Sequence, residues 1–185
     1  MDLPPPSPDD PGRTGPVVWA GSAALPGWPE CVRSALPGSV LVLPGTAGSA
    51  PRWKGAYALA FTLSGPADFP RRGSTYRLPC GAYVYAGSAY GPGGIGARLR
   101  RHFRRGKKRH WHIDHLTAGA VGLMAFAIEG GSECDILARL GGVPGFAHVL
   151  DGFGSSDCPD CRSHLLAFSP SLLHRPEGIS PESEG

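Results

Sequence analysis

Between Gly81 and Arg109 the hydrophobic period of the chain changes once, and that change limits the folds open to it. GAYVYAGS (81–88) alternates with a period of two, as a strand does. In the stretch around ARLRRHFRR (97–105), Ile95, Leu99 and Phe103 recur at helical spacing with arginines beside them. The segment SAYGPGGIG between the two, with four glycines in six residues, reads as a turn. An earlier run, GAYALAFTL (55–63), also alternates, placing Tyr57, Leu59, Phe61 and Leu63 on one face and smaller residues on the other. AVGLMAFAI (120–128) is apolar throughout and of strand length. SECDILARL (132–140) opens like a helix, with Ser132 and Asp135 at capping-box spacing. Strand, strand, helix, strand, helix predicts a small α/β (α+β) domain. Connections this short favour a mainly antiparallel sheet, since a parallel pair requires a crossover.

The flanks carry less pattern. Gly and Pro number 28 and 20 of 185 residues, so much of the chain must be turn or loop. Residues 1–50 read as a disordered or weakly structured leader that adds a strand near Val40–Leu43. Residues 51–172 read as the folded domain, with SGPADFPRRGSTYRLPC as a long loop, and residues 173–185 as a mobile tail. No apolar run is long enough to cross a bilayer, and MDLPPPSPDDPGRTGP lacks the pattern of a secretory signal. The expectation is a cytoplasmic protein, near the nucleoid if DNA is its partner, with no membrane role. Five cysteines without regular spacing are expected as reduced thiols.

The net charge is only +3, yet Arg98, Arg100, Arg101, Arg104, Arg105, Lys107, Lys108 and Arg109 fall within twelve residues with no acidic residue between them. The rest of the chain is therefore net acidic. One basic stripe on an acidic body suits a polyanion such as nucleic acid. Gly91, Gly93 and Gly96 satisfy G-x-G-x-x-G between a strand and a helix, with Asp114 further on. The following helix is short and arginine-rich, and Asp114 lies inside HWHIDHL, so a dinucleotide site is the weaker reading. The more general expectation is that free backbone N–H groups at this helix start attract a phosphate.

Glu133 is separable from the cap. It shares a helical face with Ile136, Leu137 and Leu140, so a carboxylate begins a stripe that should point inward. Such a group wants a partner, and a hard cation suits it. HWHIDHL offers His110, His112, Asp114 and His115, but neither a strand nor a helix gives the i, i+4 pair of a zincin. His112 and Asp114 are instead expected beside the active centre or on phosphate, with Trp111 in the core or stacking on a base. Cys158, Cys161 and His164 invite a structural zinc, but no second ligand pair stands at a suitable distance, so this reading ranks low.

Gly55-Ala56-Tyr57 and Tyr85-Ala86-Gly87, followed by Arg98 with His102 four residues later and by Glu133 opening a helix, resemble the ordered motifs of the GIY-YIG nuclease superfamily. The longer run YVYAGSAYGPGGIGARLRRHFRRGKKRHWHIDHL resembles an uncharacterised branch sometimes fused to helix-hairpin-helix DNA glycosylases. That resemblance implies a three-stranded antiparallel sheet flanked by helices. It implies a divalent-metal-dependent endonuclease hydrolysing DNA phosphodiesters, structure-selective or linked to a repair glycosylase. One Mg²⁺ or Mn²⁺ would sit on Glu133, with Tyr85 the leading base and Tyr57 orienting water or phosphate. Arg98 would grip phosphate, and His102 would protonate the leaving oxygen or contact phosphate. Arg100, Arg101, Arg104, Arg105, Lys107, Lys108, His112 and Asp114 would line the nucleic acid. The alternative is a binding module on the same fold that no longer cuts. Two departures favour it: the interval from Tyr57 to Tyr85 is long, and the chain has no asparagine where the superfamily often ends its site. Ser155 or Ser156 would have to substitute.

Overall fold

The strands expected at 55–63 and 81–88 form with those bounds, as β2 (Gly55–Leu63) and β5 (Gly81–Ser88) in the computed structural model, which describes residues 27–71, 73–155 and 158–170. They pair antiparallel along their whole length, Tyr57 opposite Gly87 and Leu59 opposite Tyr85. β6 (Ala120–Glu129) lies on the other side of β2, again antiparallel.

The sheet then grows beyond these three strands. β1 (Val40–Val42) pairs with β6, β8 (Leu165–Phe168) with β5, and β7 (Phe146–His148) with β8. The order is β1-β6-β2-β5-β8-β7, an antiparallel sheet of six strands rather than the expected three. β1 is the strand expected near Val40–Leu43, whereas β7 and β8 are three and four residues long, too short for alternation to register in the sequence. The expected long loop at 64–80 is a separate hairpin of β3 (Ala67–Arg71) and β4 (Ser74–Leu78).

Period two divides the sheet into two faces. Tyr57, Leu59, Phe61, Leu63 and Tyr83 join one cluster, covered by α2 (Gly94–Phe103) through Ile95 and Leu99 and by α3 (His112–Thr117) through Ile113 and Leu116. Ala56, Ala58, Ala60, Ala82, Val84 and Ala86 face the other way. Their small side chains let α4 (Glu133–Gly141) lie close, burying Ile136, Leu137 and Leu140. α1 (Trp28–Ala35) joins that layer through Trp28 and Val32. Residues 27–50, read from sequence as a weak leader, are thus a helix, an edge strand and a 3₁₀ turn over Pro44–Ser49. The tail from 173 and residues 1–26 lie outside the described residues. No helix among the described residues is long and apolar enough to cross a membrane.

The candidate active site and its basic flank

The glycine turn answers to a neighbouring strand of chain rather than to an anion. Gly93 caps α2 in the left-handed region, and Gly94 also has positive φ. Ile95 N donates to Trp53 O at 2.9 Å and Gly96 N to Pro51 O at 2.7 Å, while Gly94 N donates to Gly91 O. The expected anion nest is already filled by the protein's own carbonyls. A side chain at Gly94 would meet the carbonyl oxygens of Arg52 and Trp53, and one at Gly96 would meet that of Ala50. These glycines are required by close backbone approach.

Beyond the turn, the tertiary structure brings together groups that are remote along the chain. Tyr57 Oη and His102 Nε2 are hydrogen-bonded at 2.7 Å, and the Tyr57 ring lies against Gly87, where an added Cβ would collide with it. The second signature glycine is therefore the seat of the first signature tyrosine. Arg98 folds back over the turn, so that a Cβ at Gly91 would stand 3.5 Å from its Nη2. Burial pushes the Tyr57 phenol well above its usual range; the Tyr85 phenol and the Glu133 carboxylate add to this and Arg98 opposes it. Burial, then Glu133, raises Tyr85 to about 12, again against Arg98. Both phenols thus keep their protons at neutral pH, and both feel the same carboxylate and the same guanidinium. Tyr83, on the same face, is fully buried and donates its hydroxyl to Pro79 O.

Tyr85 is half-buried and lines a cleft of about 230 Å³ with His110, Trp111, His112, Ile113, Phe153 and Gly154. His112 is exposed at this cleft. His164, named from sequence for zinc, stands here instead: a Cβ on Gly154 would lie 2.9 Å from the Tyr85 ring and 3.2 Å from His164 Cβ. Burial lowers the His164 pKa against the pull of Glu133, and its Nε2 is buried without a partner among the described residues. Sequence offered no sign of this, because the residue lies about thirty positions beyond Glu133 and in no motif with it.

The basic stripe separates into two populations. Asp114 is 0% exposed and accepts from Arg101 Nη2 at 2.6 Å and from the backbone N–H groups of His110 and Trp111, both at 2.9 Å. Lys107 Nζ lies 3.3 Å from Asp114 Oδ1 and donates to His102 O and Thr117 Oγ1. Burial pushes the Asp114 carboxyl up, but the two N–H groups, Lys107 and Arg101 more than offset it and hold the pKa low. Asp114 is therefore internal and cannot line a nucleic acid as expected, and Arg101 and Lys107 are largely committed to the same network. Arg100, Arg104, Arg105 and Lys108 remain exposed. Arg104 and Arg105, with Lys107 and Arg109, border a groove of about 790 Å³ against Val121 and Leu123. Trp111 is no free stacking platform, since the guanidiniums of Arg98 and Arg101 lie over it at 4.6 and 4.2 Å.

His102 differs from its expected role as a proton donor. It is 2% exposed, and burial, then Lys107, depress its pKa to about 3, with Asp114 opposing and Arg101 and Arg98 assisting. A neutral ring bonded to Tyr57 positions that phenol and is not the acidic imidazolium that a proton donor requires. Below pH ~6.5 the unfolded chain protonates this ring and the folded chain does not, so stability falls as pH drops from ~6.5 toward 3, by up to ~1.4 kcal/mol per pH unit. Urea midpoints measured between pH 7 and 4 should decline, and His102→Phe should flatten that decline.

Three thiols form a separate cluster. Cys134 Sγ lies 3.4 Å from Cys158 Sγ and 3.1 Å from Cys161 Sγ, and all three sulfurs lie within 4.8 Å of one another, a set able to hold a metal ion. The third member is Cys134 on α4, not His164. Ser155 is buried and its hydroxyl points to Arg162 O at 3.5 Å; Ser156 lies outside the described residues.

Residues 56–179 match the model of a family described as "Domain of unknown function DUF123", and the chain belongs to that family. No curated protein and no solved structure matches it.

Proposed function

We propose that this member of the DUF123 family is a divalent-metal-dependent endonuclease that hydrolyses phosphodiester bonds in DNA, on a GIY-YIG-like site. One observation carries the reading: the phenols of Tyr57 and Tyr85, on paired strands, both lie within electrostatic reach of the Arg98 guanidinium on α2 and the Glu133 carboxylate on α4.

The donor set fits one Mg²⁺ or Mn²⁺ on Glu133. A single half-exposed carboxylate leaves the remaining positions to water and phosphate, which is how Mg²⁺ is commonly held. Bound there, the ion would lower the pKa of its water and offset developing charge. Arg98, restrained over Trp111, grips a non-bridging phosphate oxygen pair. Tyr85 stays protonated and therefore donates a hydrogen bond to the attacking water or phosphate, rather than serving as the free base expected from sequence. His102 holds Tyr57 in place. Arg100, Arg104, Arg105 and Lys108 contact the DNA backbone.

The test is incubation of the purified chain with branched, nicked and plain DNA and Mg²⁺ or Mn²⁺. Cutting should appear with metal, stop with EDTA and fall as salt rises. Alanine at Arg104 or Arg105 should reduce the salt slope of DNA binding by about one each. The absence of an asparagine favours the second reading, a module that binds without cutting. Salt-sensitive binding with no cleavage under any metal would establish that reading and overturn the first.

A further inference from the structure

We infer that Cys134, Cys158 and Cys161 form a zinc site that ties the first turn of α4 to the Cys-Pro-Asp-Cys segment. Cys134 is the second residue of α4, immediately after Glu133; Cys158 and Cys161 lie on the chain entering β8. They are separated by 24 and 27 residues of sequence, yet their sulfurs are 3.4 and 3.1 Å apart. The other two cysteines, Cys31 and Cys80, take no part.

Three features favour an ion over chance packing. The thiols are only partly buried, so an ion can enter. The set is purely sulfur, which selects a borderline-soft cation such as Zn²⁺ over Mg²⁺ or Ca²⁺. The Cys-x-x-Cys spacing is that of a zinc ligand pair, and Cys134 supplies the third sulfur from a helix already fixed by Ile136, Leu137 and Leu140. Among the described residues no further His, Cys, Asp or Glu joins the set, which leaves the fourth tetrahedral position to water or an added ligand. Binding converts up to three thiols to thiolates and releases their protons to solvent.

The consequence is mechanical. Gly152 N donates to Arg162 O and His164 N to Phe153 O, so the chain just after Cys161 is laced to the segment that lines the Tyr85 cleft. An ion at the three sulfurs would fix this pair of segments against α4. The site stands on residues other than those of the proposed hydrolysis, and its test does not depend on cleavage.

The experiment uses the full chain, reduced, stripped with chelator and then offered Zn²⁺ or Co²⁺ alone. About one ion per chain should bind, and Co²⁺ should give the intense thiolate-to-metal charge-transfer absorption of a multi-sulfur tetrahedral site. Zinc should protect Cys134, Cys158 and Cys161 from alkylation while Cys31 and Cys80 stay reactive, as peptide masses would reveal. Hydrogen exchange across 150–164 should slow on adding zinc. Cys134→Ser should abolish the Co²⁺ band and Cys31→Ser should leave it intact. Failure of the wild-type chain to bind either ion, equal protection of all five thiols, or a disulfide within the cluster that regains no metal after reduction would overturn the assignment. The alkylation pattern of the wild-type chain decides the matter even if Cys134→Ser does not fold.

Discussion

Asp114→Ala is expected to destabilise the protein by about 3–5 kcal/mol, the usual cost of removing one partner of a buried ion pair. Asp114 is wholly buried and answers four donors: Arg101, Lys107 and the backbone N–H groups of His110 and Trp111. Without it, Lys107, whose side chain is 7% exposed, keeps a charge with little water to solvate it. The start of α3 loses both N–H acceptors at once. Asp114→Asn should fall between the two, because the amide oxygen still accepts while the charge is gone. The control is Asp68, whose carboxylate meets Arg77 at the same 2.6 Å separation, but on an exposed hairpin. Asp68→Ala should leave the urea midpoint unchanged within error, since exposed pairs contribute little. A similar small shift for both variants would show that Asp114 is not the anchor of this corner.

Glu133→Gln should lower metal-dependent cleavage by roughly 10²–10⁴-fold, the range expected when an ion worth several kcal/mol of charge stabilisation loses its only protein carboxylate. The substitution preserves shape, and Ile136, Leu137 and Leu140 still hold the helix, so the thermal midpoint should hardly move. DNA binding without metal should be unchanged or tighter, because a negative charge has been taken from beside the phosphate. This combination separates an ion ligand from a structural glutamate, which would lower stability and activity together. Cleavage that persists in Glu133→Gln would remove the role given to it.

Much of the frame was legible along the chain. Period two in GAYALAFTL and GAYVYAGS assigned two central strands to within a residue and also the two faces, large side chains on one and alanines on the other. Ser132 capped α4 as its spacing required, its hydroxyl accepting from Asp135 N at 3.1 Å. The strand at 40–42 was expected, but those at 146–148 and 165–168 were harder to see, because three or four residues hold barely one alternation, and their pairing depends on which backbone edge lies alongside. The site divided in the same way. Tyr57, Tyr85, Arg98 and Glu133 were marked by ordered motifs, whereas the anion turn expected at Gly91–Gly96 proved to be filled by the carbonyls of Pro51 and Trp53.

The sequence by itself determined which side chains of the central strands face inward, where those strands and α4 begin, and that one stretch is strongly basic. Only the tertiary structure decided which of those charges remain available. Arg101 and Lys107 look like their neighbours in sequence, yet a buried carboxylate claims both. It also decided that Cys134 meets Cys158 and Cys161, and that His164 stands beside Tyr85. The physical reason is common to all of these. Periodicity is a local property that neighbouring residues carry, whereas the fate of a charge or a thiol depends on which distant backbone excludes water from it.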